Sequence, residues 1–464
     1  MSEIKILETT NIKNIHFIGI GGISMSGLAE ILHNEGYNIS GSDITPSNIT
    51  DKLEKMNMKV YIGHSESNIK DPNLVVYTAA IKESNPELAK ARTLNIPVID
   101  RAALLGEIMR RYPYSVAISG THGKTTTTSM VTMIMLEANM NPTAHIGGEL
   151  NAIDGNTRIG GKEYFISEAC EYVESFLKFY PYLAVILNIE LDHLDYFKDI
   201  EHIKSAFLKF AQLVPENGFL IGNADDINTM EVLSKINSCT KFTFGISNEE
   251  AEWRAGAIRY NSDGCAVFSV KHNGENMGEV VLCVPGIHNL INALAAIAVC
   301  GTLGCDFESI KNGLLKFTGT HRRFEMKYII NNVKVIDDYA HHPSEIKATL
   351  LAIKRLTANK VWCVFQPHTY TRTKMLLGDF SNAFGDADNV IVTDIYAARE
   401  QDTGIIHSKD LTARLKQNGK NAIYIKEFDR IANHLKENMT PGDIIVTMGA
   451  GDIYKVGDIL NAIK

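Results

Sequence analysis

One stretch decides how the centre of this chain folds: Tyr114-Ser-Val-Ala-Ile-Ser-Gly-Thr-His-Gly-Lys-Thr-Thr-Thr-Thr128. Its first six residues form the apolar run of a strand, the two glycines predict a tight turn, and the threonine run opens a helix. The backbone N–H groups of such a turn and the N-terminal dipole of the helix can surround the phosphates of a nucleotide. The stretch therefore predicts an α/β unit that binds ATP.

This loop is a shortened form of the P-loop. The usual first glycine would fall at Ile118, which leaves the pattern Gly-x-x-Gly-Lys-Thr. Lys124 is expected to bind phosphate oxygens, and the hydroxyl of Thr125 to bind magnesium. The alternative is a glycine turn with a solvated lysine. The predicted ATP contacts in the loop are Gly120, Thr121, His122, Gly123, Lys124, Thr125 and Thr126.

Length and composition set the broad class. A chain of 464 residues exceeds a single core, so two to four domains are expected, and 45% hydrophobic with 22% charged residues predicts a chain that folds throughout. A net charge of −8 argues against nucleic acid as a partner. No signal peptide or uninterrupted apolar span is evident, so membrane insertion is not expected. Seven scattered cysteines without a Cys-x-x-Cys motif suit a reducing cytoplasm.

The chain divides into three α/β segments, each opening with a strand that feeds a turn and a helix. The predicted fold class is α/β with three domains: a Rossmann-like domain at 1–112, a central P-loop-type ATPase domain at 113–323 and a Rossmann-like, doubly wound domain at 324–464. The central domain is expected to combine a mostly parallel sheet with antiparallel strands at 253–284, turning at Gly264 and Gly274. Other predicted strands are 14–19, 37–42, 74–78, 164–168, 183–188, 333–338, 361–365, 389–393, 422–425 and 443–447.

A second glycine pattern follows the first predicted strand, at Gly19-Ile-Gly-Gly-Ile-Ser-Met-Ser-Gly27. It is similar to a dinucleotide fingerprint, with Asp43 at the end of the next strand, where a ribose hydroxyl would be bound. Ser24 stands where the last glycine of that fingerprint belongs, so a nucleotide diphosphate fits better than NAD. A simple tight turn and an NAD-dependent oxidoreductase remain open at this point.

Polar clusters mark further strand ends, where ligands collect in open α/β sheets. Glu168 follows a strand beside the P-loop and could hold a nucleotide's magnesium, although a surface acidic pair with Glu171 would look the same. His288 and Asn292 lie one helical turn apart and could contact a base, whereas helix capping by Asn289 is the ordinary explanation. The remaining clusters are Asn188-Ile-Glu-Leu-Asp-His193, Arg322-Arg-Phe324, Asp337-Asp-Tyr-Ala-His-His-Pro343 and Gln366-Pro-His-Thr-Tyr-Thr-Arg372.

Taken together, these segments resemble the Mur ligases nearly end to end. The resemblance implies an ATP-dependent ligase that forms an amide through an acyl phosphate in peptidoglycan precursor synthesis. It is strongest to the branch that joins L-alanine to UDP-N-acetylmuramate, with ATP and Mg²⁺ as cofactors and a monomer or weak homodimer as the assembly. A relative that attaches a preformed tripeptide, and a nucleotide-sensing module without chemistry, are the alternatives.

The resemblance also implies roles for individual residues. The UDP-sugar contacts would be Gly19, Gly21, Gly22, Ser24, Met25, Ser26, Gly27, Ser42 and Asp43. The ATP contacts outside the loop would be His288, Asn289, Asn292, Arg323 and Asp338. The magnesium ligands would be Thr125, Glu168 and His193, the alanine contacts His341, His368 and Arg372, and the catalytic residues Lys124, His193, Arg323 and His341.

Two departures from the family pattern bear on these roles. Cys170 stands where many relatives have an aspartate, so the metal role is expected to fall more heavily on Glu168. Thr369 stands where some relatives have an arginine, which leaves one cation fewer for a substrate carboxylate or phosphate.

Overall fold

The computed structural model describes residues 6–8, 12–398 and 400–463. Contacts between Cα atoms divide the chain into two compact units. The first unit runs to Ile189 and also includes Lys204–Phe244 and Ala295–Ile310, and the second comprises Glu190–Ile203, Gly245–Leu294 and the chain from Lys311 onward. Each unit is described by itself below.

A parallel five-stranded sheet opens the first unit, with the order β3-β2-β1-β4-β5. Strand β1 lies between β2 and β4, so the strand order reverses at β1, and the first glycine loop follows β1 at this switch point. Its strands are β1 (Asn14–Ile18), β2 (Asn38–Asp43), β3 (Lys59–Ile62), β4 (Leu74–Tyr77) and β5 (Val98–Asp100). Its helices are α1 (Ile23–Asn34), α2 (Asn48–Lys55), α3 (Pro86–Thr93) and α4 (Arg101–Met109).

Local sequence signals begin three of these helices. The Ser47 hydroxyl accepts from the backbone of α2, the Asn85 amide caps α3 directly before Pro86, and the Asp100 carboxylate accepts from Ala103 N–H in α4. Such caps satisfy N–H groups that have no partner inside the helix.

Seven further strands of the sheet that carries the phosphate loop follow in the order β12-β11-β10-β6-β9-β7-β8. Strand β6 is central and its residues Val116, Ala117 and Ile118 are fully buried, which explains its apolar sequence. The strands are β6 (Tyr114–Ser119), β7 (Thr143–Leu150), β8 (Gly155–Arg158), β9 (Tyr164–Ala169), β10 (Leu183–Ile186), β11 (Phe219–Asn223) and β12 (Thr240–Gly245). The helices of this part of the chain are α5 (Lys124–Glu137), α6 (Ile200–Ala211) and α7 (Ile227–Ser234).

The second unit contains an antiparallel ribbon, β13 (Trp253–Tyr260), β14 (Cys265–His272) and β15 (Glu275–Pro285). Its two turns contain Gly264 and Gly274, with φ of +70° and +84°, as their positions in the sequence predicted. Two helices follow along the chain, α8 (Ile287–Thr302) and α9 (Phe307–Lys316).

The last sheet has the order β16-β17-β21-β18-β19-β20, with β16 antiparallel to β17 and the other pairs parallel. Separate apolar clusters cover its two faces, as expected for a doubly wound sheet. The strands are β16 (Glu325–Ile330), β17 (Val333–Asp338), β18 (Val361–Phe365), β19 (Asn389–Val392), β20 (Asn421–Tyr424) and β21 (Ile444–Met448). The helices are α10 (Pro343–Lys354), α11 (Tyr370–Met375), α12 (Leu377–Ser381), α13 (Ser408–Gln417), α14 (Phe428–Asn438) and α15 (Lys455–Ala462).

The predicted α/β class with mostly parallel sheets is confirmed, and the domain boundaries at 112/113 and 323/324 stay predictions. Within the described part of the chain, no helix is both long and apolar enough to cross a membrane. Strands β2 and β21 were predicted one residue early, at 37–42 and 443–447. In β21 the reason is that the carboxylate of Asp443 accepts hydrogen bonds from Thr440 N–H and Trp362 Nε1 in the turn before the strand.

Candidate active site

The predicted phosphate loop connects β6 to α5 and depends on two glycines. Gly120 has φ of +143° and Gly123 has φ of +88°, where residues with a side chain are strained. A Cβ atom on Gly120 would also lie 2.9 Å from the Cβ of Leu187. Helix α5 begins directly after Gly123, and the first N–H groups of a helix have no partner inside it, so this end is suited to a phosphate.

Asn188, two residues beyond β10, holds the loop in shape. His122 N–H donates to Asn188 Oδ1 at 2.8 Å, and Asn188 Nδ2 donates back to the His122 carbonyl at 3.1 Å. Thr121 N–H donates to the Asn188 carbonyl at 3.0 Å. Strand β10 therefore ends earlier than the predicted 183–188, because Asn188 leaves the sheet to bind the loop. The sequence marked this residue only as part of a motif, without this role.

Lys124 is part of an ion pair that the sequence did not predict. Its Nζ donates to Glu171 Oε2 at 2.9 Å and to the Thr121 carbonyl at 3.1 Å, and Glu171 is only 2% exposed. Burial by itself lowers the pKa of Lys124, but the nearby Glu171, Cys170 and Glu168 outweigh burial, so this pKa lies above its ordinary value. Lys124 is therefore charged and already oriented within the loop.

Two of the predicted magnesium ligands lie together. Thr125 Oγ1 donates to Glu168 Oε2 at 3.1 Å, and Gly147 N–H donates to the other carboxylate oxygen. This proximity follows from the sheet, since Glu168 in β9 is opposite Ile118 in β6. A hydroxyl and a carboxylate are hard oxygen donors, so this pair fits a small divalent cation.

The first glycine loop is held by β2. Gly19 N–H donates to the Ser42 carbonyl at 2.8 Å, and Gly21 N–H donates to Asp43 Oδ2 at 2.9 Å. A Cβ atom on Gly21 would lie 2.8 Å from that same carboxylate oxygen, so a side chain there would displace the carboxylate from the loop. Gly22 precedes α1 as its N-cap. The Asp43 carboxylate thus supports the loop backbone, and its ribose contact stays a prediction.

Four more of the predicted UDP-sugar contacts are buried. Met25 and Ser26 are each 2% exposed, and a Cβ atom on Gly27 would lie 2.1 Å from Thr157 Oγ1. Gly27 therefore lies where α1 packs against β7 and β8, and Met25 and Ser26 are buried beside it in sequence. Ser42 is fully buried and donates its hydroxyl to Glu87. Direct sugar contact by these four residues remains a prediction that their burial does not support.

In the second unit, the three predicted alanine contacts lie around one cavity of about 180 Å³. The His341 and His368 ring centroids are 5.6 Å apart, and Arg372 Nη1 lies 3.0 Å from His368 Nδ1. The cavity is lined by Asp192, His193, Leu194, Asp195, Tyr339, His341, His368, Thr369, Thr371, Arg372 and Ala450.

Asp192, for which the sequence suggested no role, binds Arg372 in this cavity. Arg372 donates to Asp192 Oδ1 from Nε at 3.0 Å and from Nη2 at 2.8 Å. Burial alone raises the pKa of Asp192, but Arg372 and the neighbouring histidines outweigh burial and hold this pKa well below its ordinary value. Burial lowers the pKa of His341 to about 4, so its ring is neutral near pH 7. The charge of Arg372 is thus already balanced by the ionised carboxylate of Asp192.

His193 lies in the second unit and lines the same cavity. Its backbone has φ of +52°, and its N–H donates to Asp192 Oδ1 at 2.7 Å. Its assignment as a magnesium ligand and catalytic residue stays a prediction.

The predicted adenine contacts are engaged at the start of α8. Asn289 Nδ2 donates to the Pro285 carbonyl at 2.7 Å, and Asn292 Nδ2 lies 3.4 Å from Asn289 Oδ1. Burial lowers the pKa of His288 to about 4. Helix-end bonding therefore explains much of this cluster, and its contact with a base stays a prediction.

Arg323 and Asp338 lie at the start of the last sheet. Asp338 accepts from Phe324 N–H at 3.1 Å, Ala340 N–H at 2.7 Å and Thr349 Oγ1 at 3.2 Å, which orders the turn after β17. Burial raises the pKa of Asp338 to about 6, against the opposing charge of Arg323. The Arg323 guanidinium lies 5.0 Å from the Tyr339 ring centroid. Their roles toward ATP stay predictions.

Comparisons with known proteins cover almost the whole chain. Three family models match: "Mur ligase family, catalytic domain" over 14–113, "Mur ligase middle domain" over 118–300 and "Mur ligase, glutamate ligase domain" over 322–451. The UDP-N-acetylmuramate–L-alanine ligase of Acetivibrio thermocellus is 62% identical, covering 99% of this chain and 98% of the relative. The enzyme of that name from Caldanaerobacter subterraneus is 53% identical over 97% and 98% of the two chains.

A solved structure shows the same architecture. The UDP-N-acetylmuramate–alanine ligase of Thermotoga maritima superposes with a TM-score of 0.82 at 31% identity, covering 97% of this chain and 99% of that chain. Identity at this level over nearly full length, together with the three family models in order along the sequence, leaves one assignment: this chain belongs to the Mur ligase family.

Proposed function

We propose that this chain ligates L-alanine to UDP-N-acetylmuramate at the expense of ATP, giving UDP-N-acetylmuramoyl-L-alanine, ADP and phosphate. The observation that carries the proposal is the phosphate loop, where Lys124 lies beside the Thr125–Glu168 pair, in a chain 62% identical to a relative named for this reaction. An NAD-dependent oxidoreductase would leave that lysine and that pair without a purpose.

The reaction needs ATP because an amide does not form spontaneously from a carboxylate and an amine in water. A carboxylate oxygen of the muramoyl group attacks the γ-phosphorus of ATP, and ADP leaves. The alanine nitrogen, having lost its ammonium proton, then attacks the acyl carbon; phosphate leaves and takes up the second proton that the nitrogen loses as the amide forms. Lys124 stabilises the negative charge on the transferred phosphoryl group. To do so it must exchange some of its bonding to Glu171 for phosphate oxygens.

Magnesium would be held by Thr125 and Glu168, whose oxygens suit it, with His193 as a further candidate. When bound, this ion neutralises phosphate charge. The Glu168 carboxylate is kept in place by Gly147 N–H, so the site's geometry depends on β7 as well as on the loop.

The cavity of the second unit supports a small amino acid as the other substrate. A space of about 180 Å³ admits a side chain of alanine size and disfavours large ones. The neutral ring of His341 can accept a hydrogen bond from an amine, although a pKa of about 4 makes it a weak base. Arg372, already bound to Asp192 and His368, would position the amino acid's carboxylate through its remaining Nη2 N–H group.

A substrate panel tests the proposal. Phosphate release is measured with ATP, Mg²⁺ and UDP-N-acetylmuramate, adding alanine, serine, glycine or an L-Ala-γ-D-Glu-diaminopimelate tripeptide. We expect release with alanine, coupled one-to-one to a product of the corresponding mass. Release with the tripeptide alone would identify the peptide-attaching relative instead. Nucleotide binding without release under any condition would indicate a binding module.

The proposed setting is the cytoplasm, where ATP and UDP-sugars are made. The seven cysteines are all free thiols, which suits this reducing compartment. The proposed assembly is a monomer or weak homodimer. Sedimentation equilibrium over a hundredfold range of concentration tests the assembly, and a stable higher oligomer at the lowest concentration would contradict it.

A further inference from the structure

Arg101 is a cation that neither the sequence nor the proposed mechanism uses. It is the first residue of α4 and is partly buried. Its Nη1 donates to Ser24 Oγ at 3.0 Å, which occupies one of the five N–H donors of a guanidinium. Among the residues that the structure describes, no carboxylate lies within 4.0 Å of it. In a chain with a net charge of −8, such an arginine calls for an explanation.

The position of Arg101 is set by a short chain of hydrogen bonds. Ser24 Oγ lies 2.8 Å from His145 Nε2, and His145 Nδ1 lies 3.3 Å from Thr157 Oγ1. Arg101 donates to Ser24 Oγ, and we assign the Ser24 hydroxyl proton to His145 Nε2, which places the proton of the neutral ring on Nδ1, facing Thr157. Burial first, and then the charge of Arg101, lower the pKa of His145 to about 3, which keeps this ring neutral. His145 is 4% exposed, so the arrangement is rigid.

The location of Arg101 relative to the two loops indicates what it binds. Ser24 is the second residue of α1, directly after the first glycine loop, so Arg101 stands at the helix end that attracts anions. Burial raises the pKa of Cys170, whereas the positive charges of Lys124 and Arg101 both act to lower this pKa. Arg101 therefore contacts the residue that follows the first glycine loop and lies close enough to Cys170 for its charge to act there, near the Lys124 of the second loop. The acidic groups of a UDP-sugar have to lie between these two loops if its carboxylate is to reach ATP.

We propose that Arg101 binds an anionic oxygen of the UDP-sugar, from either its diphosphate or its lactyl carboxylate, and that His145, acting through Ser24, is the positioning residue that orients it. This inference rests on the proposed function. A guanidinium with several open donors matches both kinds of oxygen through bidentate contacts. The first glycine loop contains no lysine or arginine between Gly19 and Gly27, so Arg101 supplies the charge that the loop lacks.

Calorimetric titration without ATP tests the binding role. UDP, UDP-N-acetylglucosamine and UDP-N-acetylmuramate are titrated into the wild type, Arg101→Gln and Arg101→Lys. We expect Arg101→Gln to weaken UDP-N-acetylmuramate about 10- to 100-fold, the range for a charge-assisted contact, with an intermediate loss for Arg101→Lys. An equal loss for all three ligands assigns the diphosphate, and a loss confined to UDP-N-acetylmuramate assigns the carboxylate.

The control for a general charge effect is Arg111→Gln, since Arg111 lies in the same part of the chain but is paired with Glu35. Its affinities should match the wild type within twofold. Unchanged affinity of folded Arg101→Gln for all three ligands would overturn the inference. Failure of the wild type to bind UDP-N-acetylmuramate would instead overturn the proposed function, so the two failures are distinguishable.

The positioning role of His145 has its own readout. His145→Phe removes the acceptor for Ser24, and we expect KM for the UDP-sugar to rise about 3- to 10-fold with kcat and the KM for ATP unchanged. His145→Gln, whose side-chain amide can accept the same bond, should restore most of the affinity. A parallel loss in all parameters, or no rescue by glutamine, would show that His145 supports only the packing of β7.

Discussion

The first unit contains two loops of the same plan, at 19–22 and 120–123, and they are secured in different ways. Each follows a parallel strand and precedes a helix. The first is held by the carboxylate of Asp43, which accepts from Gly21 N–H, and the second by the amide of Asn188, which exchanges two hydrogen bonds with His122. An amide can donate as well as accept, so it fixes both sides of a loop without adding charge beside a triphosphate.

The loops differ more sharply in their cations. The phosphate loop carries Lys124 within its own sequence, bonded to its own carbonyls and balanced by Glu171. The first loop contains no lysine or arginine. Arg101 reaches it from α4 by donating a hydrogen bond to Ser24, the second residue of the helix that follows the loop. A loop that stabilises a reacting phosphoryl group needs its charge fixed in the backbone frame. A loop that only binds a diphosphate can obtain charge from another helix.

The largest expected effect separates the two loops by chemistry. Lys124→Ala should lower kcat by about 10³-fold, because it removes a cation from the transferred phosphoryl group, and should leave the calorimetric affinity for the UDP-sugar near that of the wild type. Substantial activity in this variant would remove the loop from the mechanism.

The control for this variant addresses the buried partner of Lys124. Lys124→Ala leaves Glu171 without its cation, which destabilises the fold. The double variant Lys124→Ala/Glu171→Gln should recover the melting temperature and remain inactive. Recovery of activity together with stability would mean that the single variant was merely misfolded.

A crossed pair of substitutions tests whether each loop serves its own ligand. Asp43→Ala removes the acceptor for Gly21 and should raise KM for the UDP-sugar about tenfold, whereas Asn188→Ala should raise KM for ATP by a similar factor, each for the loss of one or two hydrogen bonds. The other substrate's KM should change less than threefold in each variant. Steady-state kinetics with both substrates varied decides this, and the reverse pattern would mean that the ligands are exchanged.

The strands that form these loops were predictable because their signals are local. The predicted bounds of β6, β17 and β18 agree with the structure, since each is a short apolar run followed by polar residues. Strands β7 and β8 were not predicted. Gly147 and Gly148 interrupt the apolar pattern of β7, and β8 is only four residues long.

Contacts between site residues are harder to predict from sequence the farther apart the two residues lie along the chain. The family resemblance grouped Thr125 with Glu168, and their contact in the structure follows from β6 and β9 being neighbours in a parallel sheet. The contact between Asp192 and Arg372 joins residues 180 positions apart, and no periodicity specifies such a pair. The sequence therefore named Arg372 as an alanine contact without indicating that Asp192 binds it, and the alanine contact stays a prediction.

A smaller effect tests whether Glu171 stands in for a phosphate group. Glu171→Gln removes the charge that offsets the burial of Lys124, so the melting temperature without nucleotide should fall by a few degrees. Added ATP and Mg²⁺ should then raise the melting temperature more than in the wild type, because the triphosphate replaces the lost anion. Glu174→Gln is the control, since Glu174 pairs with the exposed Lys209. Equal ATP-induced shifts in all three proteins would contradict the exchange.

The smallest expected effect concerns the neutral histidine behind the first loop, which has no counterpart at the second. The pKa of His145 is lowered to about 3, so between about pH 3 and its ordinary value of 6.5 the unfolded chain binds this proton and the folded chain does not. The free energy of unfolding should therefore fall as the pH drops through that window, by at most about 1.4 kcal/mol per pH unit from this group. His145→Gln keeps the bond to Ser24 but does not titrate, so its melting temperature should fall less steeply than that of the wild type between pH 6.5 and 4.5. Parallel curves for the two proteins would mean that His145 takes up a proton in the folded state, and the hydrogen-bond direction from Arg101 through Ser24 to its ring would then have to be reversed.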